Sequence, residues 1–122
     1  GEPDWTITSS TRPDQAMLYR LNGDLNPLHL DPSFAAKAGF ERPILHGLAT
    51  YGVVAKAVVD ELFDGDPRRL RHFSTRFAGV VHPGETLETR VWARDGELGF
   101  STSCPERGDV VVLSQGIVRG ER

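Results

Sequence analysis

The sequence predicts an α+β domain in which a curved antiparallel sheet wraps one long central helix. Three observations point there. Residues 47–63 form a nearly continuous apolar run, longer than a strand. From Leu70 onward, short alternating segments are separated by turns rich in Gly, Pro and Asp, as expected of successive antiparallel strands. The 122 residues, 39% hydrophobic and 25% charged, suffice for one domain with one core, taken as residues 1–122. A helix followed by a run of strands is an α+β layering. A sheet of four or five strands leaves edges that a second copy can cover, so a dimer is expected.

Each element has a local reason. Trp5 to Ser9 alternates and reads as a short strand. Thr11-Arg12-Pro13-Asp14 reads as a helix start, with Thr11 as cap and Pro13 in the first turn, and Asn22-Gly23 ends that helix near Leu21. Asp31-Pro32-Ser33 starts a short second helix that Gly39 closes. The run from Gly47 to Phe63 is apolar on nearly every side and is expected to be buried all round. Gly52 inside it costs about 1 kcal/mol against alanine, which points to close approach of another backbone. Asp64-Gly65-Asp66-Pro67 stops it. Strands are expected at Leu70 to Val81, Thr86 to Arg94, Leu98 to Cys104 and Val110 to Val118, joined by His82-Pro83-Gly84-Glu85, the hairpin signal Asp95-Gly96, and Pro105 to Gly108. In Thr86 to Arg94, Leu87, Thr89, Val91 and Ala93 share one face.

Composition excludes several function classes. The net charge is −3 and no basic run exceeds Arg68-Arg69-Leu70-Arg71, so nucleic acid is not an expected partner. The single cysteine, Cys104, rules out an intrachain disulfide and a cysteine metal cluster, and fits a reducing, cytoplasmic setting. No signal peptide is recognisable, and no stretch reaches the ~18 apolar residues of a membrane helix. The chain starts with Gly and reads as processed, tagged or cut from a longer polypeptide.

The chemistry-bearing residues concentrate in one stretch. Asp24, Asn26 and His29 lie within six residues, bracketed by Gly23 and Pro27, so they belong to a loop. A carboxylate and an imidazole converging on one water make a general acid/base pair. Gly47 opens the long helix, where an unencumbered N–H can hold a developing negative oxygen. Bland readings stand beside these. Asp24 serves equally as a turn residue, His29 as a structural histidine, His46 as a support for its loop and His82 as part of a turn, while His72 has no partner by spacing. Asp24, His29 and His46 lack tight metal-ligand spacing, so no metal is expected. There is no nucleophile elbow around Ser33 or Ser101, and no phosphate-binding glycine loop or dinucleotide fingerprint.

Tyr19-Arg20-Leu21-Asn22-Gly23-Asp24-Leu25-Asn26-Pro27-Leu28-His29-Leu30-Asp31 resembles the signature of hydratase 2, the (R)-specific enoyl-CoA hydratases of the MaoC-like family. Pro43 to Gly52 resembles the family's second block, and His82-Pro83-Gly84-Glu85-Thr86-Leu87 its turn before a strand. The resemblance runs from about Asp14 to Val118. It is greatest to the catalytic C-terminal half of members that carry two such domains, a single-domain homodimer or a heterodimer being the alternatives. It implies a hot-dog fold. It also implies that Asp24 and His29 activate one water, that Asn26 helps place it, and that the Gly47 N–H binds the thioester oxygen. The implied reaction is hydration of a trans-2-enoyl-CoA to the (R)-3-hydroxyacyl-CoA, or the reverse dehydration. A dehydratase acting on acyl carrier protein thioesters is the second reading and a non-catalytic acyl-thioester-binding subunit the third. No cofactor is expected, CoA being part of the substrate. Arg20, Leu48 and Phe77 are candidates for substrate contact, and Arg68, Arg69 and Arg71 for its phosphates.

Overall fold

The structure, a computed structural model, describes residues 1–11, 32–39, 44–45 and 47–122. The helix expected over Thr11 to Leu21 and the loop that follows it lie outside the described residues. The elements are β1 (Trp5–Ser10), α1 (Pro32–Lys37), α2 (Gly47–Leu62), β2 (Leu70–Phe77), β3 (Thr86–Arg94), β4 (Glu97–Cys104) and β5 (Val110–Gly120), with single 3₁₀ turns at Pro67–Arg69 and Pro105–Arg107. The strands form one antiparallel sheet in the order β1-β3-β4-β5-β2.

Burial on α2 explains why the helix lies where it does. Val54, Val58 and Leu62, four residues apart, are buried against the sheet, where Leu87, Val91, Val112, Leu113 and Val118 complete the core. Just past the helix, Phe63 is 1% exposed. Phe63→Ala is expected to cost about 3–5 kcal/mol through the cavity it leaves. That predicts a melting point lower by roughly 10–20 °C in a thermal scan; a drop of only a few degrees would mean the site collapses onto the void. The helix ends because Asp64 and Gly65 both take left-handed conformations, and the Gly65 N–H turns back to the Val59 carbonyl at 3.0 Å.

Two expectations for α2 need correction. It is not buried all round: Leu48, Gly52, Lys56 and Asp60 form an exposed stripe, because the sheet covers only one side. Nor does a backbone crowd Gly52, around which no described atom lies within 4 Å of a Cβ's position. The close approaches that require glycine are elsewhere. A Cβ on Gly116, opposite Phe100 in the β4–β5 register, would run into the Phe100 ring. A Cβ on Gly79 would sit 2.8 Å from the Val111 carbonyl oxygen.

The strand expected to reach Val81 stops at Phe77. The Ala78 and Gly79 N–H groups both turn to the Val112 carbonyl, at 2.9 and 3.3 Å, which takes the chain off the ladder. β3 matches its expected bounds, and Leu87, Thr89 and Val91 do share the core face. Asp95-Gly96 makes the two-residue hairpin, with Arg94 opposite Glu97 and Gly96 left-handed. Bulges shift the β2–β5 and β4–β5 registers, and Gln115 takes a positive φ of 52° between them.

Candidate active site

The N-terminus of α2 meets the chain leaving β2. Helix geometry leaves the first N–H groups of α2 without intrahelical acceptors, at its positive end. Gly47 is the first of these residues. A cavity of about 170 Å³ opens beside it, lined by Ile44, Leu45, Gly47 and Thr50 on one side and by Phe77, Gly79, Val80 and Val81 on the other. Two contacts register these walls. The Leu45 N–H donates to the Val81 carbonyl at 2.6 Å. The Phe77 ring faces Gly47 so closely that an added Cβ would lie 3.4 Å from its Cε1.

Of the sequence-selected residues, the structure thus brings together Gly47 and Phe77, with Leu48 next along the helix. Leu48 is 67% exposed and Phe77 52%, so this end of the helix carries apolar surface open to a ligand. Asp24, Asn26, His29, Arg20 and His46 lie outside the described residues. Arg68, Arg69 and Arg71 sit past the other end of α2, whose 16 residues span about 24 Å. Each is ion-paired there: Arg68 with Asp66 at 2.9 Å, Arg69 with Asp64 at 3.1 Å and Arg71 with Glu121 at 3.4 Å. The Arg68 bond holds the Asp66 carboxyl below its ordinary value. His72 does have a partner, Ser74 Oγ at 2.8 Å from its Nε2. Cys104 is fully buried, and burial first, then the Glu85 charge, pushes its thiol up, so it stays protonated.

Contacts that no local motif foretold support the Phe77-side wall. Arg107 Nε donates to Glu85 Oε2 at 2.7 Å, and its Nη2 to the Val80 carbonyl. Glu85 Oε1 accepts the His82 N–H at 2.6 Å. Thr11, expected as a helix cap, uses its hydroxyl on this same turn: it donates to the Glu85 carbonyl and accepts the Gly84 N–H. Burial would raise the Glu85 carboxyl, but Arg107 and the His82 N–H outweigh it and hold it below its ordinary 4.5. A depressed folded-state value stabilises the fold above the unfolded value and loses that contribution as pH falls through the folded one. Melting temperature is therefore expected to fall on acidification below about pH 4.5 in the parent, with a shallower fall in Glu85→Gln; parallel curves would remove Glu85 from the acid response. Sequence held one weak signal for this knot, an acid in one turn and a base in another, but Glu85 and Arg107 meet only across the folded sheet.

Comparisons with known proteins agree with this arrangement. The model of a family described as "MaoC like domain" matches residues 1–114. Enoyl-CoA hydratase ChsH3 of Mycobacterium tuberculosis is 54% identical over 112 residues, covering 92% of this chain and 39% of that protein. The peroxisomal enoyl-CoA hydratase 2 of Arabidopsis thaliana is 47% identical over 119 residues, covering 98% and 38%. The crystal structure of a MaoC-like dehydratase from Phytophthora capsici superposes with a TM-score of 0.93 at 37% identity, covering 100% of this chain and 41% of that one. The chain thus spans about two fifths of the length of each of these three. The five-stranded antiparallel sheet packed on the long helix α2 is the hot-dog fold of these structural neighbours. With 114 consecutive residues matched by its model, the chain belongs to the family of MaoC-like domains.

Proposed function

We propose that the domain is the catalytic hot-dog unit of an (R)-specific enoyl-CoA hydratase. It adds water across the double bond of a trans-2-enoyl-CoA, or removes it from the (R)-3-hydroxyacyl-CoA. The observation that carries the reading is the cavity where the first residue of α2, Gly47, meets Phe77. Attack of water at C3 of the enoyl thioester moves charge onto the thioester oxygen. A backbone N–H at a helix start is suited to receive that charge, and such a donor is worth roughly 3–4 kcal/mol. Asp24 and His29 take a proton from the water and return one to C2 on the same face, with Asn26 placing the water. The reaction needs no cofactor beyond the CoA of the substrate, and the relatives named for enoyl-CoA hydration support this carrier over acyl carrier protein.

The domain is proposed to work paired with a second hot-dog unit, a copy of itself or another domain. Among the described strands, β1 and β2 each hydrogen-bond to a single neighbour and leave the two sheet edges available. The test of the function is loss of the conjugated enoyl-thioester absorbance when the complete protein meets crotonyl-CoA and a longer trans-2-enoyl-CoA. Fast loss with an (R)-3-hydroxyacyl product supports it. Release of free CoA would make the protein a thioesterase, and reaction with carrier-protein thioesters alone would reassign the carrier.

A further inference from the structure

The segment between β2 and β3 forms one wall of the cavity at Gly47, yet it lies off the sheet ladder. Beside its main-chain bonds to Val112 and Leu45, it is held by a side chain from the turn between β4 and β5. The Arg107 guanidinium spends one donor on the Val80 carbonyl, at 2.5 Å, and another on Glu85, at 2.7 Å. The next residue, Val81, accepts the Leu45 N–H at 2.6 Å, two residues before Gly47. From Arg107 the path runs through the Val80 and Val81 carbonyls to Leu45, two residues before Gly47, and the same wall carries the Phe77 ring that faces Gly47. The Glu85 side chain is 6% exposed and that of Arg107 32%, so bulk water is poorly placed to substitute for a lost bond.

We propose that the Arg107–Glu85 pair is a positioning device for catalysis: it fixes the Val80–Val81 strap, and through it the Gly47 amide that receives the thioester oxygen. This rests on the hydratase reading above. Neither side chain lines the cavity. The planar guanidinium fork serves a carbonyl and a carboxylate at once, which the single ammonium of lysine does less well. The consequence is an effect on turnover rather than on substrate binding, because a misplaced donor costs most where charge develops.

The test uses Arg107→Met in the complete protein, which keeps the apolar stem and removes both donors. Arg107→Lys is measured in the same way if the methionine variant does not fold. Two readouts are taken well below each variant's melting temperature: kcat and KM for a trans-2-enoyl-CoA, and the infrared carbonyl band of bound butyryl-CoA carrying ¹³C at the thioester carbon. The expected result is a kcat about tenfold lower, a KM within about threefold, and a carbonyl band moved back toward that of free butyryl-CoA. A variant that melts lower but keeps the parent's kcat and band overturns the positioning role and leaves a purely structural pair. A parent protein that neither hydrates the enoyl thioester nor shifts the carbonyl band overturns the hydratase reading, and the positioning role with it. That failure shows in the parent, so the two are distinguishable.

Discussion

Asp24→Asn is expected to lower kcat for hydration of a trans-2-enoyl-CoA by roughly 10²–10⁴-fold, the usual worth of a positioned acid or base. Asparagine keeps the size and one turn-forming oxygen acceptor of the side chain but cannot take a proton from water. His29→Ala is expected to fall by a similar factor. The double variant should be little worse than either single one, because two groups acting on one water fail as a unit. The alternative for both residues is structural, an aspartate in a turn and a histidine satisfying its loop. That alternative predicts the opposite pairing of observables: a lowered melting temperature with kcat retained. Activity and thermal melting on the same preparations separate them, and a stable Asp24→Asn protein with full activity would end the general-base assignment.

Gly47→Pro is expected to cost roughly 10²–10³ in kcat, the loss seen when one oxyanion donor is removed. Proline suits the first position of a helix, where its missing N–H leaves no helical hydrogen bond unmade, so α2 should survive the change. Gly47→Ala is the control. It keeps the N–H and adds a methyl 3.4 Å from Phe77 Cε1, and that ring, 52% exposed, has room to yield. The alanine variant should therefore stay within a few-fold of the parent in kcat. If proline and alanine behave alike, crowding against Phe77 and not the lost N–H controls turnover, and the oxyanion assignment for Gly47 is wrong.

The fold was largely legible in sequence because its signals are local. The apolar run beginning at Gly47 and the turn residues Asp64-Gly65, Asp95-Gly96 and His82 to Glu85 each mark a boundary through a backbone requirement of their own. What periodicity could not show was which neighbours cover the helix. Leu48 and Gly52 belong to the apolar-looking run, yet they face outward because a single sheet covers only one side. The end of β2 at Phe77 was equally invisible, since it depends on the Val112 carbonyl. At the site, Gly47 was legible from its place at a helix start. Glu85 and Arg107 were not, because a hydrogen bond between two turns 22 residues apart leaves no periodic trace. The basic cluster Arg68, Arg69 and Arg71 was legible, but its ion pairs with Asp66, Asp64 and Glu121 were not, because the partners are set by how the chain folds past α2.

The strand order β1-β3-β4-β5-β2 sets the moment at which the cavity wall can close during synthesis. Among the described strands, β2 pairs only with β5, the third strand after it in the chain, so the strand that presents Phe77 to Gly47 waits for β5 before it has a partner. The residues that tie the cavity wall are drawn from Thr11, Glu85 and Arg107, almost the full span of the chain. On a ribosome, α2 therefore emerges well before the pocket it serves can close. A nascent chain halted ahead of Val110 carries the helix and β3 but no finished wall. The wall closes only when β5 is in place to pair with β2.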